Sequence, residues 1–567
     1  MNSTYVTNTL KDFSKISSDL IGVRQKSEGI PRYKMNNREL SDYELIINGA
    51  LNPLEGFMTE SEYNSVVDKM SLPNGALWTM PITLSVSDEL MEKIKAAGKV
   101  VLLHPQTEAM LAILKAESIY KIRKSDEATK VFGSSDSLHP AISYLNGSGN
   151  WGIGGSFEII SPVYHYDFTE VRRSPQEIRE FLSKKGVTKL VAFQTRNPMH
   201  KAHYELTKRA MEQSQAHLLL HPAVGPTKDG DIDHFTRVRC YKQIIEKYPA
   251  GTATLSLLPL AMRMAGPKEA LHHMIIRKNY GATHFIVGRD HAGPGKDSTG
   301  KSFYDPNGAQ ILAKENAAKI GIEVLPFNEL LYSEQLKKYV SESEVPPGSK
   351  VLSISGTEFR DSLRKGSVIP EWFSFPEVVT ELKATEPPAK DKGFCIFFTG
   401  FSGSGKTTLS YALIDRLKAL LPRPITLLDG DEVRLHLSKG LGFSKEDRDT
   451  NILRIGYVAS LVVKHRGMAI CAPIAPYDGI RKKVRDMVSQ YGNFIQIYVS
   501  TSIEDCEKRD PKGLYSQVRK GQLKNFTGID DPYEVPTNNE MSIDTGKHTI
   551  DECLDQVVAY LRQREFI

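Results

Sequence analysis

Cysteine is scarce in this sequence. The five residues Cys240, Cys395, Cys471, Cys506 and Cys553 are odd in number, scattered over 567 positions and never spaced as CxxC. Neither a disulfide framework nor a cysteine zinc site fits that pattern, and a reducing, cytoplasmic setting is expected. Cys395 and Cys471 lie in the apolar runs FCIFF and MAIC, where a free thiol acts as a small hydrophobe. No apolar run approaches the about 20 residues that span a bilayer, so a membrane is not an expected partner. The opening MNSTYVTNTLKDF lacks the basic-then-apolar pattern of a secretion signal. The formal charge is only +5, with no Lys/Arg block interleaved with aromatics, so nucleic acid is not an expected partner either. Self-similarity at solenoid periods is absent.

What is present is an ordinary globular composition, 40% hydrophobic and 25% charged. The chain is too long for one core, and at about 150 residues per domain it should hold three or four. Residues 384–392, ATEPPAKDK, are polar, contain proline and read as a linker. A softer boundary falls near residues 166–174. Before it, fragments such as ALWTMPITLSV and KVVLLH suggest a mostly β region. After it, strands alternate with helices: KLVAFQT then HYELTKRAMEQ, HHMIIRKNY then THFIVGRD, and later FCIFFTG, ITLLDGD, MAICAP and FIQIYVST with helices between. Such alternation argues for parallel sheets with helical crossovers. Residues 147–152, GSGNWG, form a literal GxGxxG, yet GIGGSFEII follows, a turn entering a strand. The dinucleotide fingerprint needs a helix there, because the helix N-terminus holds the pyrophosphate; a plain hairpin loop is expected instead.

Gly400, Phe401, Ser402, Gly403, Ser404, Gly405, Lys406 and Thr407 spell GFSGSGKT, which fills every fixed position of GxxxxGK[ST]. The strand FCIFFT precedes it. The helix TTLSYALIDRLKALL follows, with Leu409, Leu413, Leu417 and Leu420 on one face. Glycines let successive backbone N–H groups turn inward around phosphate oxygens, and the helix N-terminus adds partial positive charge. In such a loop Lys406 reaches the β and γ phosphates of ATP and the Thr407 hydroxyl ligates Mg²⁺. The next strand ends in LDGDEVR, which puts Asp429 and Asp431 where open α/β sheets bind ligands. One suits the metal's water shell and one suits acceptance of a hydroxyl proton; helix N-capping by Asp431 is the plainer alternative. Arg448 and Asn451 share a helical face in DRDTNILR. Arg509, Lys512, Arg519 and Lys520 surround a glycine in RDPKGLYSQVRKG, either a loop that closes over phosphates or a solvated surface.

GFSGSGKTT, LDGDEVR, LGFSKEDRDTNILR, RDPKGLY and FTGIDDPYE together resemble adenylyl-sulfate kinase, over residues 393–567. The resemblance implies transfer of the ATP γ-phosphoryl to the 3′-hydroxyl of adenylyl sulfate. It also implies an acceptor pocket made by Asp431, Arg434, Phe443, Arg448 and Asn451 together with Ile474, Ala475, Lys512, Asn525 and Phe526. Such transfer is mostly positioning and charge neutralisation. Two positions depart from the family. Glu432 stands where the family has DGDN, adding negative charge near an anionic acceptor, and Ala475 stands where some relatives carry a phosphorylatable serine.

Residues 194–203 read QTRNPMHKAH between the strand KLVAF and a helix. His200 and His203, three apart, share the first helical turn, and Pro198 supports a start nearby. A cationic or hydrogen-bond-donating pair there, reinforced by the helix dipole, suits charge building on a departing pyrophosphate. Arg196 offers a planar fork to a tetrahedral oxyanion such as sulfate, and Thr195 and Asn197 can donate to an α-phosphate. Two metal ligands are an alternative, although the zincin pattern sets its histidines four apart; an exposed pair without a role is another.

HxxH resembles the HxGH signature of nucleotidyltransferases, with Ala202 in place of glycine. With GPTKDGDIDHFTRVR, MRMAGPKEALHH, FIVGRDHAGPG and SISGTEFR, the resemblance extends to ATP sulfurylase over residues 1–385. The two resemblances imply an α/β multidomain chain. Its parts would be an N-terminal PUA-like β-rich domain (1–168), a Rossmann-like nucleotidyltransferase domain (169–325) with a small α/β extension (326–384), a linker (385–392) and a P-loop kinase domain with a parallel sheet (393–567). The sulfurylase resemblance further implies that Gln194, Thr195, Arg196 and Asn197 bind substrate, the last three in catalytic positions, and that His200 and His203 stabilise the transition state. Gly288, Arg289, Asp290 and His291 would bind ATP, Ala292 would touch sulfate and Leu330 would meet adenine. GRDHAGPG ends the strand THFIV with glycines, a backbone-donating loop at a sheet's carboxyl edge.

The chemistry expected is attack of a sulfate oxygen on the α-phosphorus of MgATP, releasing pyrophosphate, then 3′-phosphorylation of the adenylyl sulfate. Sulfate needs no deprotonation, so no general base is expected; orientation and leaving-group stabilisation supply the rate. ATP, sulfate, pyrophosphate and adenylyl sulfate are the expected partners, Mg²⁺ the expected cofactor and a homo-oligomer the expected assembly. Three rival readings stand beside this one. The kinase-like domain could regulate without catalysis, which the intact Lys406 and Thr407 oppose. The sulfurylase could run backwards to make ATP. A P-loop scaffold would bind nucleotide without sulfate-dependent chemistry.

Overall fold

A computed structural model describes residues 27–567 except Asp229, Glu386, Ala389, Lys390 and Pro422, and except the side chains of Thr357 and Arg364. The MNSTYVTNTLKDF stretch lies outside the described residues. Contacts divide the chain into two units, Met1–Ser355 with Ile369–Leu382, and Gly356–Val368 with Lys383–Ile567.

In the first unit a seven-stranded sheet gathers around the strand Trp151–Ile159. It pairs antiparallel with Gly56–Phe57, Leu84–Val86, Met110–Lys115 and Ser118–Lys121. The sequence WGIGGSFEI explains how one strand serves four partners. A Cβ at Gly152 would sit 2.4 Å from the Tyr120 ring, and one at Gly154 2.2 Å from the Met58 carbonyl oxygen. These glycines exist for close approach of neighbouring chain. GSGNWG itself joins the helix Pro140–Gly147 to this strand, so it is a helix–strand connection and not the expected hairpin loop. The helices Asn37–Ile47 and Glu60–Lys69 each start with a reciprocal cap, Asn36 with Glu39 and Thr59 with Glu62.

A second sheet in the same unit is wholly parallel, ordered Ala253–Leu255, His217–Leu220, Leu190–Phe193, His284–Gly288, Glu323–Phe327. Its inner strands LVAF, HLLL and HFIVG are buried and almost continuously apolar, as a sheet covered on both faces requires. Leu190–Phe193 is first in sequence, and later strands leave it on both sides. The order therefore reverses between Leu190–Phe193 and His284–Gly288, and ligand crevices of open α/β sheets lie at the carboxyl ends beside such a switch point. The helix Gly266–Asn279 is buried on almost every face, charged residues included. A small antiparallel sheet follows, ordered Lys338–Val340, Leu331–Ser333, Val351–Leu352.

The second unit holds a five-stranded parallel sheet ordered Ile425–Asp429, Met468–Ala472, Phe394–Thr399, Asn493–Val499, Met541–Ile543. The run FCIFFT spells out its two buried faces. Phe394, Ile396 and Phe398 pack with Leu409, Leu413 and Leu417 of the helix Lys406–Leu420, while Cys395 and Phe397 pack with Ile452, Ile455 and Val484 opposite. Leu420, the last leucine of the expected stripe, closes the helix and is 41% exposed. All five cysteines are free and buried. No helix among the described residues is long and apolar enough to cross a membrane.

Asp42, from the helix Asn37–Ile47, pairs through both oxygens with Arg263, and the two side chains are 3% and 4% exposed. Removing one partner of a buried pair strands the other charge, at a cost of ~3–5 kcal/mol. Trp78, Trp151 and Trp372 all belong to the first unit, so tryptophan fluorescence during urea unfolding reads that unit alone. Asp42→Ala is expected to lower its stability by ~3–5 kcal/mol; a loss below ~1 kcal/mol would mean that solvent reaches the pair.

Candidate active sites

At the switch point of the first unit, residues 194–200 leave the strand Leu190–Phe193 and residues 289–292 leave its neighbour His284–Gly288. The two motifs that stand far apart in sequence therefore share one sheet edge. Gln194 is buried, its side-chain oxygen taken by Arg277. Thr195 Oγ1 closes a tight turn, donating to the Asn197 carbonyl at 3.0 Å and accepting the Asn197 N–H at 3.2 Å. Arg237 holds the carbonyls of Arg196 and Ala223, both at 2.9 Å, and the Tyr241 hydroxyl holds that of Asn197 at 2.8 Å. With its carbonyls fixed from behind, the loop offers side chains: Arg196 pairs with Asp231, and Asn197 is exposed.

His200 is the residue before the helix Lys201–Ser214, and His203 is its third. The His200 N–H donates to His203 Nδ1 at 3.3 Å, which leaves the His203 proton on Nε2. His200 Nδ1 lies 3.0 Å from Ser374 Oγ, and its ring rests 4.6 Å from that of Phe373. Burial, with His203 adding a smaller push, takes His200 down to about 3, and burial takes His203 down to about 4. Both rings keep some solvent access, yet both are neutral at physiological pH. Of the two forms expected from sequence, the free protein holds neutral donors.

The GRDHAG loop is folded tightly. Asp290 and Ala292 take left-handed φ of 52° and 54°, and a Cβ on Gly293 would lie 2.0 Å from Asp290 Oδ1. Burial raises the Asp290 pKa against the opposing pull of Arg196, Arg289 and Lys228, so three cations converge on this edge. His291 Nε2 lies 2.9 Å from His273 Nδ1, and burial, with that ring beside it, pushes His291 down to about 3. The Ala292 carbonyl accepts the Gly266 N–H at 3.1 Å. Leu330 is buried just past the edge strand Glu323–Phe327. Lys228, Asp231, Arg237 and Tyr241 were open to discovery in GPTKDGDIDHFTRVRCY, where charge is dense beside glycine. Arg277, Phe373 and Ser374 carry no such signal, because only the fold brings residue 374 to residue 200.

In the second unit Lys406 is buried, and its Nζ donates to the Gly400 carbonyl at 2.9 Å and the Phe401 carbonyl at 2.6 Å. Burial pushes its pKa down to about 8. Gly403 and Gly405 take φ of +75° and +100°, conformations that a side chain would strain. Ser404 is fully buried beneath them. Thr407 Oγ1 donates to Asp429 Oδ2 at 3.0 Å, while Asp429 Oδ1 accepts the Asp431 N–H at 3.0 Å. The N-cap is thus Asp429, a correction of the expectation for Asp431: the helix already begins at Gly430, so Asp431 lies inside it. Asp431 is exposed and pairs with Lys512.

A cavity of about 830 Å³ opens here. Ser402, Gly403, Gly405, Lys406, Thr407 and Asp429 line one part of it. Asp431, Arg434, Phe443, Arg448, Asn451, Ile474, Ala475, Lys512, Asn525 and Phe526 line the rest. Arg448 stitches the wall together through Thr527 Oγ1 at 2.7 Å, Asp531 at 2.6 Å and the Phe443 carbonyl at 2.9 Å. The Arg434 guanidinium covers the Phe443 ring at 4.4 Å. Asn451 Oδ1 is buried without a hydrogen-bond partner. Glu432 is exposed and does not line the cavity, so its extra charge falls outside the pocket. Of the basic loop, Arg509 and Lys512 line the cavity, whereas Arg519 pairs with Glu507 and Lys520 faces solvent. Thr527 and Asp531, unassigned from sequence, sit in the quoted FTGIDDPYE.

These two edges define a Rossmann-like nucleotidyltransferase site and a P-loop phosphotransferase site in one polypeptide. Residues 4–162 match the PUA-like domain family, residues 169–385 the ATP-sulfurylase family and residues 392–544 the adenylylsulphate kinase family. Relatives named sulfate adenylyltransferase from Gibberella zeae and Chaetomium globosum are 48% and 47% identical, over 94% and 95% of this chain and 94% of each of theirs. A solved structure described as a hexameric APS kinase from Thiobacillus denitrificans is 33% identical with a TM-score of 0.76, covering 97% of this chain and 96% of that one. The chain belongs to the sulfate adenylyltransferase family. It joins an ATP-sulfurylase domain to an adenylylsulphate kinase domain, the pair that carries sulfate to adenylyl sulfate and on to 3′-phosphoadenylyl sulfate.

The depressed pKa of Lys406 has a measurable sign. In the free protein the amine loses its proton near pH 8, and a phosphate beside it restores the charged form. Nucleotide binding at pH 8 should therefore take up about half a proton, and affinity should fall as pH rises above that value. Calorimetry in two buffers of different ionisation heat reads the uptake. Lys406→Met is expected to abolish it, and equal uptake in that variant would assign the proton to another group.

Proposed function

We propose that this chain works in the direction of sulfate activation, with adenylyl sulfate made at the edge of the first unit and phosphorylated at the edge of the second. The convergence of Arg196, Lys228 and Arg289 on one switch-point crevice, beside the neutral donors His200 and His203, carries the first half. Gly288, Arg289, Asp290 and His291 hold ATP, with Leu330 toward adenine. Gln194, Thr195, Arg196 and Asn197 hold sulfate against the α-phosphate, and Ala292 meets sulfate. A sulfate oxygen attacks the α-phosphorus in line as the bond to pyrophosphate breaks. Both histidines are neutral in the free protein, so each can meet the leaving group with an N–H donor, His203 through Nε2. Sulfate gives up no proton, so no base is required.

At the second edge Lys406 leaves its own loop's carbonyls for the β and γ phosphates, which the backbone N–H groups of residues 402–407 surround. Thr407 and Asp429 form a hard-oxygen donor set at the rim of that cradle and fit Mg²⁺ arriving with ATP; bound there, the ion neutralises phosphate charge. Asp431 accepts the 3′-hydroxyl proton, and Arg434, Arg448 and Lys512 balance the acceptor's anionic groups. Phe443 and Phe526 flank its adenine, while Asn451, Ile474, Ala475 and Asn525 complete the wall. The mixed anhydride of adenylyl sulfate drives the first step back toward ATP, and the second step removes it. A domain division at 1–168, 169–325, 326–384, 385–392 and 393–567 is part of this reading, supported by the family limits at 162, 385 and 392. A cytoplasmic homo-oligomer is also part of it, supported by the hexameric relative and the five free thiols.

Pyrophosphate release from ATP, measured with and without sulfate and followed by product identification, tests the whole. Release should require sulfate, and 3′-phosphoadenylyl sulfate should accumulate. Lys406→Ala should stop the reaction at adenylyl sulfate, and Arg196→Ala should slow release by ~10²-fold or more. Continued 3′-phosphorylation in Lys406→Ala would sink the kinase assignment, and nucleotide binding without sulfate-dependent release would leave only a scaffold. The neutrality of the two histidines adds a separate check. His203→Gln, which keeps a donor, should retain at least about tenfold more rate than His203→Ala, and neither histidine should contribute a titration between pH 5 and 8 to kcat/KM, which reports the free protein.

A further inference from the structure

Beneath the GRDHAG loop, the helix Gly266–Asn279 carries Glu269 and His273 four residues apart, stacked on one face and both fully buried. His273 Nε2 lies 3.4 Å from Glu269 Oε1 and has no hydrogen-bond partner, while His273 Nδ1 lies 2.9 Å from His291 Nε2. The carboxylate cannot turn away. Its Oε1 accepts the Arg263 N–H and its Oε2 the Ala265 N–H, both at 2.8 Å. Burial pushes both imidazoles far below their ordinary range, so a single proton lies between two neutral rings.

That proton has two placements. In one, His273 donates from Nδ1, and its bare Nε2 then faces the carboxylate across a buried gap, two acceptors opposed. In the other, His273 keeps its proton on Nε2, toward Glu269, and its Nδ1 accepts from His291 Nε2–H. The fixed carboxylate selects the second. His291 is left with a bare Nδ1, which bonds no group among the described residues while the ring keeps partial solvent access. The phosphates of ATP carry no proton to give such an atom; its donors are the adenine amino group and the ribose hydroxyls.

Resting on the reading that His291 lies in the nucleotide pocket, we infer that Glu269 and His273 are positioning residues that lock His291 as a hydrogen-bond acceptor for the nucleoside part of ATP. The relay makes His291 a selector of adenosine and excludes it from phosphate recognition.

The test compares ATP with inosine triphosphate, 2′-deoxy-ATP and 3′-deoxy-ATP in sulfate-dependent pyrophosphate release. In the unaltered protein one of these analogues should lose at least about tenfold in kcat/KM. His291→Ala should raise KM for ATP and abolish that discrimination. His273→Leu should do the same in part, and His273→Asn, whose Oδ1 can replace the accepting Nδ1, should restore it. Histidine-selective ¹⁵N spectroscopy of the unaltered protein should find His291 protonated on Nε2. A proton on Nδ1, or unchanged discrimination in His291→Ala despite a raised KM, overturns the relay while leaving His291 in the pocket. An unchanged KM for ATP in His291→Ala removes His291 from the pocket and the inference with it.

Discussion

A parallel sheet wound outward from its first strand cannot avoid a gap. Where the order reverses, the chain leaves neighbouring strands toward opposite faces, and the space between their carboxyl ends stays open to helix N-termini and unpaired N–H groups. This protein meets that constraint twice. In the first unit the gap lies between Leu190–Phe193 and His284–Gly288; in the second, Phe394–Thr399 is the first strand, flanked by Met468–Ala472 and Asn493–Val499. Each gap is dressed with cations, and each is entered by a helix whose first residues face it. Anion chemistry is the natural use of such a place, because the backbone supplies donors that need no reorganisation when charge arrives.

Rigidity at the first edge comes from charges placed where charge is costly. Asp42 and Arg263 are buried together, and the backbone on either side of Met264 is held by Glu269. That segment starts the helix Gly266–Asn279, whose own first N–H bonds the Ala292 carbonyl in the GRDHAG loop. The N-terminal sheet region is thus coupled to the shape of the GRDHAG loop through one buried ion pair and one carboxylate. Such burial yields little net stability, and its return is a fixed geometry.

Much of this was legible in the residues. FCIFFT announces a strand buried on both faces, GFSGSGKT announces the cradle behind it, and the leucine spacing of the following helix holds until its final residue. What sequence could not deliver were the supports. The helix Gly266–Asn279 has no polar face to reveal its burial, so Glu269, His273 and Arg277 read like surface residues until the packing is known. Ser374 reaches His200 from 174 positions away. The assignment of the N-cap failed by two residues because the LDGDEVR strand and helix share a boundary that local pattern leaves ambiguous. The GSGNWG pattern points the other way: it mimics a phosphate motif, yet its last glycine, Gly152, makes room for the Tyr120 ring of a neighbouring strand.

Both cradles, finally, are occupied by the protein's own groups. Lys406 is turned onto two loop carbonyls, Thr407 onto Asp429, Lys512 onto Asp431, and Arg196 onto Asp231. Each is a partner that an anion or a metal would replace, so a ligand exchanges one set of contacts for another and does not simply add charge to an open surface. That exchange penalises weak anions, which cannot repay the broken pairs. It favours ligands that meet several of these groups at once, as a triphosphate, or sulfate pressed against an α-phosphate, would do. Selectivity for polyanions then follows from these internal pairings as much as from the contacts a ligand makes.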